Sequence, residues 1–179
     1  MMQVGAALGR QLQRGDVVLL HGDLGAGKTT LAQGIAAALD VAGPVQSPTF
    51  TLAAEYDARL PDSTPVRLYH LDLYRLTDPA ELESIGYEEY ITPPDGVTVI
   101  EWPERAGHWL PETYLLITIA HDGAARRLSL SAVGVDAIVQ ERLQGIIAAL
   151  RGESPHPPAP SPNSGRGGGR ERGGVPAPG

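Results

Sequence analysis

The 179-residue chain is 42% hydrophobic and 20% charged, with no cysteine and a formal net charge of −7. This length suits one domain, because a chain of this size buries about two-thirds of its unfolded surface. Without cysteine, disulfides, thiolate-ligated zinc, iron–sulfur clusters and thiol catalysis are excluded, and the acidic balance does not favour direct binding to a nucleic-acid backbone.

Glutamine and arginine interrupt residues 1–16, which is not the pattern of a secretory signal peptide. Apolar runs are far shorter than the ~20 residues that cross a bilayer. We therefore expect a cytoplasmic protein with no membrane association. Residues 152–179 hold eight of the 22 glycines and seven of the 16 prolines. Because so few apolar residues cannot offset the entropy of ordering, we predict a folded domain over 1–151 and a disordered Gly/Pro/Arg-rich tail over 152–179.

The folded part alternates helical and strand patterns. The predicted strands are residues 17–20, 50–52, 66–71, 97–100, and a hairpin of 114–120 with 127–132. The predicted helices are residues 4–13, 28–39, a short helix that begins at Asp78-Pro79 and is closed by Gly86, and 136–150. Strands separated by helices predict an α/β fold with a mainly parallel sheet flanked by helices, and the hairpin adds an antiparallel C-terminal extension.

Residues 22–29, GDLGAGKT, match the G-x-x-x-x-G-K-[ST] pattern of a phosphate-binding P-loop. The motif follows a predicted buried strand and opens a predicted helix, which is the context that a P-loop requires. Glycines let backbone N–H groups converge on phosphate oxygens. Lys28 adds a positive charge for the β- and γ-phosphates, and the hydroxyl of Thr29 is a ligand for Mg²⁺. The motif therefore predicts a P-loop NTPase.

Acidic residues follow two of the predicted strands. Asp72 comes directly after the run 66–71, and Glu101 comes directly after 97–100. In a parallel sheet both would lie at the edge that carries the P-loop. We predict Lys28, Asp72 and Glu101 as catalytic residues, and Thr29, Asp72 and Glu101 as Mg²⁺ ligands. The division of roles between the two carboxylates stays open. Glu101 either completes the metal shell or orients the attacking water.

The segment Ser47-Pro48-Thr49 lies between the P-loop helix and the next predicted strand. A hydroxyl there is placed to meet the γ-phosphate and Mg²⁺, as switch segments do in nucleotide hydrolases, although a simple turn is an equal alternative. The predicted nucleotide-binding residues are Gly22, Asp23, Leu24, Gly25, Ala26, Gly27, Lys28, Thr29, Thr30 and Thr49. His21 and His70 have no metal-ligand spacing, and we interpret both as structural.

Lys28 is the only lysine of the chain. Guanine-specific P-loop proteins generally read the base with an N-K-x-D motif, for which this chain has no second lysine. The composition therefore favours ATP over GTP as the nucleotide.

Four segments in this order resemble the TsaE family, also called YjeE. They are GDLGAGKTTLAQGI at 22–35, SPTFTL at 47–52, HLDLYRL at 70–76 and IEWPER at 100–105. The resemblance implies a small P-loop ATPase in which Lys28, Thr29, Thr49, Asp72 and Glu101 serve the nucleotide and its metal. It also implies that the ATPase supports the bacterial tRNA threonylcarbamoyladenosine machinery, which modifies the adenosine after the anticodon.

The partners implied by this resemblance are a heterodimer of the tRNA threonylcarbamoyl transferase and its paralogue, with tRNA met indirectly through that complex. The implied cofactors are ATP and Mg²⁺, with no other metal. The alternative function is a small P-loop metabolite kinase. A kinase usually carries an arginine-rich lid, whereas Arg75 is the only arginine between Asp72 and Glu101. The single arginine argues against such a lid. Because the site is minimal and offers no obvious arginine finger other than Arg75, we expect slow ATP hydrolysis by the chain alone, accelerated by its partners.

Overall fold

The computed structural model describes residues 1–134 and 137–152, without the side chains of residues 138 and 139. The predicted disordered tail over 152–179 lies outside the described residues, except for Gly152. Within the described ranges, no helix is both long and apolar enough to span a membrane.

One sheet of six strands forms the centre of the fold. The strands are β1 (Val17–His21), β2 (Ala53–Arg59), β3 (Pro65–Asp72), β4 (Gly96–Glu101), β5 (Tyr114–Asp122) and β6 (Ala125–Val133). The helices are α1 (Met2–Gly9), α2 (Lys28–Ala38), α3 (Glu81–Ser84), α4 (Tyr87–Ile91) and α5 (Ala137–Leu150), with a 3-10 segment over Pro103–Trp109. The strand order is β2-β3-β4-β1-β5-β6.

The four inner strands β3, β4, β1 and β5 pair in parallel, and β2 and β6 pair antiparallel at the two edges. The predicted α/β fold with a mainly parallel sheet and an antiparallel C-terminal hairpin is therefore confirmed. The second antiparallel edge, made by β2, is an addition to that prediction.

Alternate residues of β1 enter two separate hydrophobic cores. Val18 and Leu20 pack in a cluster with residues of α1, α2 and α5, whereas Val17 and Leu19 pack with residues of α3, β3 and β4. Helices therefore cover both faces of the central strands. This explains why β1 reads as a continuous apolar run and not as an alternating one.

The predicted strand at residues 50–52 is wrong. These residues form a turn, with Phe50 82% exposed and Leu52 in the left-handed region at φ 63°. The strand begins only at Ala53, which pairs with Leu71 of β3. The predicted helix over 4–13 is also too long, since α1 ends at Gly9.

The hydrogen bonds expected of the Asp78 capping pattern form, but the helix starts later than predicted: α3 begins at Glu81, and its N-cap is Ala80, without a side-chain cap. The Asp78 carboxylate accepts a hydrogen bond from the Ala80 N–H, and Oε1 of Glu81 accepts one from the Asp78 N–H. Gly86 follows α3 in the left-handed conformation, at φ 69°, and α4 begins directly after it. Gly86 therefore closes α3, as predicted, and is also the N-cap of α4.

The register of the parallel strands brings three chain segments to one edge of the sheet. Asp72 at the end of β3 is paired with Glu101 at the end of β4, and Glu101 is paired with Leu20 of β1. The P-loop motif begins directly after β1, so it starts beside both carboxylates.

Candidate nucleotide-binding site

The P-loop motif turns sharply from β1 into α2. Gly22 has φ 148°, and a Cβ at this position would lie 2.4 Å from the carbonyl oxygen of Ile119. Gly27, at φ 106°, is the N-cap of α2. Glycine is required at both positions because a side chain would be sterically or conformationally strained there. The turn presents the N-terminus of α2 to the cleft, which is favourable for phosphate.

Lys28 is 4% exposed, and its ammonium group binds to the backbone of the motif itself. Its Nζ donates hydrogen bonds to the carbonyl oxygens of Gly22 at 2.6 Å and Asp23 at 2.9 Å. The same ammonium lies 3.6 Å from the ring centroid of Trp102. Burial lowers the pKa of Lys28, and the negative charge of Glu101 partly opposes that shift. A bound phosphate would therefore offer the Lys28 ammonium a full negative charge in place of its contacts with two carbonyls and a ring.

Asp72 is buried and is held by hydroxyl groups from the segment between α2 and β2. Its Oδ2 accepts hydrogen bonds from Ser47 and, at 2.7 Å, from Thr49. Its Oδ1 accepts the backbone N–H of Tyr74 at 3.0 Å. The segment that the sequence left open between a switch and a turn thus reaches the carboxylate at the end of β3.

Glu101 is buried between the P-loop and β3. Its Oε2 accepts a hydrogen bond from the Thr29 hydroxyl at 3.0 Å. Its Oε1 lies 2.9 Å from Nε2 of His70. The His70 side chain, which the sequence analysis treated as structural, therefore contacts a predicted catalytic residue.

These groups surround one cleft of about 370 Å³. It is lined by Leu24, Gly25, Gly27, Lys28, Thr29, Thr30, Ser47, Thr49, Asp72, Tyr74, Glu101 and Trp102. Gly22, Asp23 and Ala26 of the predicted set do not line it, although the first two hold Lys28 through their carbonyls. The Ala26 carbonyl instead accepts a hydrogen bond from Nε of Arg126 at 3.2 Å.

Tyr74 and His70 were missed by the sequence analysis as members of the site. Tyr74 packs on Trp102, with ring centroids 5.0 Å apart. His70 precedes Asp72 by two residues on β3, so strand alternation puts both side chains on the same face. That spacing was the available signal for His70. No comparable spacing marks Tyr74, because it follows the strand.

The oxygen atoms in the cleft are of the kinds that Mg²⁺ takes as ligands. Thr29 supplies a hydroxyl, and Asp72 and Glu101 supply carboxylates. Among the described residues, no group of three or more His, Cys, Asp or Glu side chains is arranged to hold a metal ion. Mg²⁺ rarely uses such a cage, since one or two carboxylates, substrate phosphates and water complete its shell.

Comparison with known proteins identifies the family. The family model for TsaE, described as threonylcarbamoyl adenosine biosynthesis protein TsaE, matches residues 1–128. The chain belongs to the TsaE family.

Curated members of the TsaE family, each described as a tRNA threonylcarbamoyladenosine biosynthesis protein, are similar over most of the domain. The protein from Nostoc sp. is 46% identical over 131 residues, covering 69% of this chain and 75% of its own. That from Haemophilus influenzae is 43% identical over 116 residues, covering 65% and 70% respectively. That from Bacillus subtilis is 43% identical over 122 residues, covering 67% and 72%.

A solved structure supports the same fold. The crystal structure of YdiB from Bacillus subtilis aligns with a TM-score of 0.61 at 29% identity, covering 84% of this chain and 86% of that one. Together with the six-stranded sheet and the turn from β1 into α2, this establishes the P-loop NTPase fold predicted from the sequence.

Proposed function

We propose that this chain is an Mg²⁺-dependent ATP-binding and ATP-hydrolysing subunit of tRNA threonylcarbamoyladenosine biosynthesis. The observation that carries the proposal is the convergence of Lys28, Thr29, Asp72 and Glu101 around one cleft at the P-loop. Membership of the TsaE family supplies the pathway. In this proposal Lys28 and the P-loop backbone bind the phosphates, and Leu24, Gly25, Thr30 and Thr49 complete the binding surface.

The carboxylates take the roles that their contacts favour. Asp72 and Glu101, with Thr29, would hold Mg²⁺, which neutralises phosphate charge when it is bound. The Thr49 and Ser47 hydroxyls hold Asp72 by donating hydrogen bonds to its Oδ2. Glu101 accepts a hydrogen bond from the Thr29 hydroxyl of the P-loop. In that position its carboxylate can also orient a water molecule. Lys28, Asp72 and Glu101 are therefore the proposed catalytic residues.

The same cleft favours slow hydrolysis by the chain alone. Among the described residues that line it there is no arginine, and the Arg75 guanidinium instead lies 4.1 Å from the exposed ring of Phe50. Arginine is the usual group that stabilises the charge of a phosphoryl-transfer transition state. We therefore propose that partner proteins complete the site, namely the transferase and its paralogue, with tRNA bound through that heterodimer.

Steady-state ATP hydrolysis tests this proposal. The rate should be low for the chain alone and rise at least tenfold when the transferase heterodimer and tRNA are added. Glu101→Gln should remove the stimulated rate, because it removes the carboxylate and keeps the shape. Equal rates with and without the partners would contradict the proposal, and phosphate transfer from ATP to a small metabolite would favour the kinase alternative instead.

A further inference from the structure

The buried imidazole of His70 is a polar group to which the proposed function gives no role. The side chain is 1% exposed and lies on β3, two residues before Asp72. Its Nε2 is 2.9 Å from Oε1 of Glu101. Its Nδ1 has no hydrogen-bond partner among residues 1–134 and 137–152.

We propose that His70 is a positioning residue for Glu101. By donating a hydrogen bond from Nε2 to Oε1, it turns the carboxylate so that Oε2 faces Thr29 and the P-loop. This inference rests on the proposed function, because the orientation of Glu101 matters for turnover only when a nucleotide and Mg²⁺ occupy the cleft.

The two carboxylate oxygens of Glu101 have different hydrogen-bond partners. Oε2 accepts the Thr29 hydroxyl at 3.0 Å, on the side of the cleft. Oε1 lies against the buried His70 ring, whose N–H is its partner in this proposal. A buried carboxylate oxygen without a donor is costly, so loss of His70 would lead the carboxylate to rotate toward other donors. Partners that orient a metal-binding carboxylate in this way typically contribute 10–100-fold to affinity or activity.

The contacts of the two His70 ring nitrogens distinguish a positioning role from simple filling of the core. A histidine that only filled space at the end of β3 would be replaceable by an apolar side chain of similar size, which would also avoid the buried Nδ1 that lacks a partner. The fold instead keeps one unpaired nitrogen, and the other nitrogen contacts a residue of the candidate site. An unsatisfied buried polar atom is uncommon and has a cost, which favours a purpose for the contact.

Three variants test the role in the full-length chain with its partner heterodimer. His70→Leu removes the donor, and His70→Gln keeps an N–H group at similar reach. His21→Leu is the control, since His21 is a half-exposed histidine at the end of β1, 3.8 Å from Glu104. We expect His70→Leu to lower kcat by ~10–100-fold, with the equilibrium affinity for ADP changed less than about threefold because Lys28 and the P-loop remain. His70→Gln should recover most of kcat, and His21→Leu should retain it.

A spectroscopic measurement gives a readout that does not depend on turnover or on the folding of His70→Leu. In the nucleotide-free chain labelled with ¹⁵N-histidine, the Nε2 proton of His70 should be protected from exchange and shifted downfield. Glu101→Gln should move that signal upfield, because the acceptor loses its charge. His70→Gln assigns the signal among the five histidines.

The possible results separate the two proposals. Equal kcat for His70→Leu and the wild type, equal loss in His70→Leu and His70→Gln, or no protected Nε2 proton would each overturn the positioning role while ATP hydrolysis by the wild type stands. If the wild type neither binds nor hydrolyses ATP, the proposed function fails and the positioning role fails with it.

Discussion

At the scale of single residues, Lys28 contacts the ring of Trp102 in the candidate site. The ammonium lies over the indole ring and is hydrogen-bonded to two carbonyls of its own loop. Trp102 reaches this position from a left-handed backbone conformation, at φ 59°. A phosphate that attracts Lys28 would therefore change the surroundings of the indole.

Tryptophan fluorescence should report that change. We expect addition of MgATP to alter the emission of the wild type, because the cation leaves the face of the Trp102 ring. Trp102→Phe should lose the response. Trp109→Phe is the matched control and should keep it, since Trp109 does not line the cleft. A response that survives in Trp102→Phe and disappears in Trp109→Phe would contradict this account of the site.

The hydroxyl contacts of Asp72 make a second prediction at the same scale. Thr49→Val keeps the shape of the side chain and removes the donor to Oδ2. The lost hydrogen bond is worth about 1–2 kcal/mol, so the affinity for MgATP should fall by roughly 5–30-fold. Thr51→Val is the control, because within the described part of the chain the Thr51 hydroxyl hydrogen-bonds only to the Ala53 carbonyl. Equal affinities for the two variants in a calorimetric titration would remove Thr49 from the site.

At the scale of elements, α1 and α2 pack through glycine. A Cβ on Gly34 of α2 would lie 2.3 Å from the Met2 carbonyl oxygen, and one on Gly5 of α1 would lie 2.2 Å from the Leu31 carbonyl oxygen. The two helix backbones therefore touch directly, and side chains at these positions would force them apart. This contact supports α2, whose N-terminus forms part of the cleft.

Alanine substitution separates this packing from helix propensity. Gly34→Ala should lower the free energy of unfolding by about 1–3 kcal/mol, because overpacking outweighs the gain in helix propensity. Gly145→Ala in α5 should raise it by about 0.5–1 kcal/mol, since no atom of the described residues lies within 4 Å of a Cβ there. Denaturant unfolding measures both. Stabilisation by Gly34→Ala would contradict the close packing of α1 on α2.

The sequence predicted the inner strands correctly but misplaced the edge strand β2. β1 was predicted because a buried parallel strand has a continuous apolar run. The runs 66–71 and 97–100 predicted β3 and β4, and the common edge of these strands then implied that Asp72 and Glu101 meet. β2 was misplaced: its sequence, AAEYDAR, has the polar pattern of an edge strand, whereas the preceding apolar residues 50–52 form a turn. The contact between His70 and Glu101 depends on the side-by-side register of β3 and β4, which is a long-range feature that local patterns do not contain.

At the scale of the whole molecule, the candidate site is assembled from four separate stretches of chain. They are residues 24–30, 47–49, 72–74 and 101–102. Only the folded sheet brings them together, so family motifs that are far apart in sequence become one cleft. The first 151 residues carry eleven basic and nineteen acidic side chains. That charge favours contact with proteins over direct contact with RNA, in agreement with the proposed dependence on a protein heterodimer.

Equilibrium binding of ATP shows whether the cleft at the P-loop is a nucleotide site. Calorimetric titration with ATP and Mg²⁺ should give one site per chain for the wild type. Lys28→Ala should abolish that binding, because the loop loses its only ammonium group, and circular dichroism should verify that the variant is folded. Undiminished ATP binding by folded Lys28→Ala, or no binding by the wild type, would contradict the assignment of this cleft as the nucleotide site.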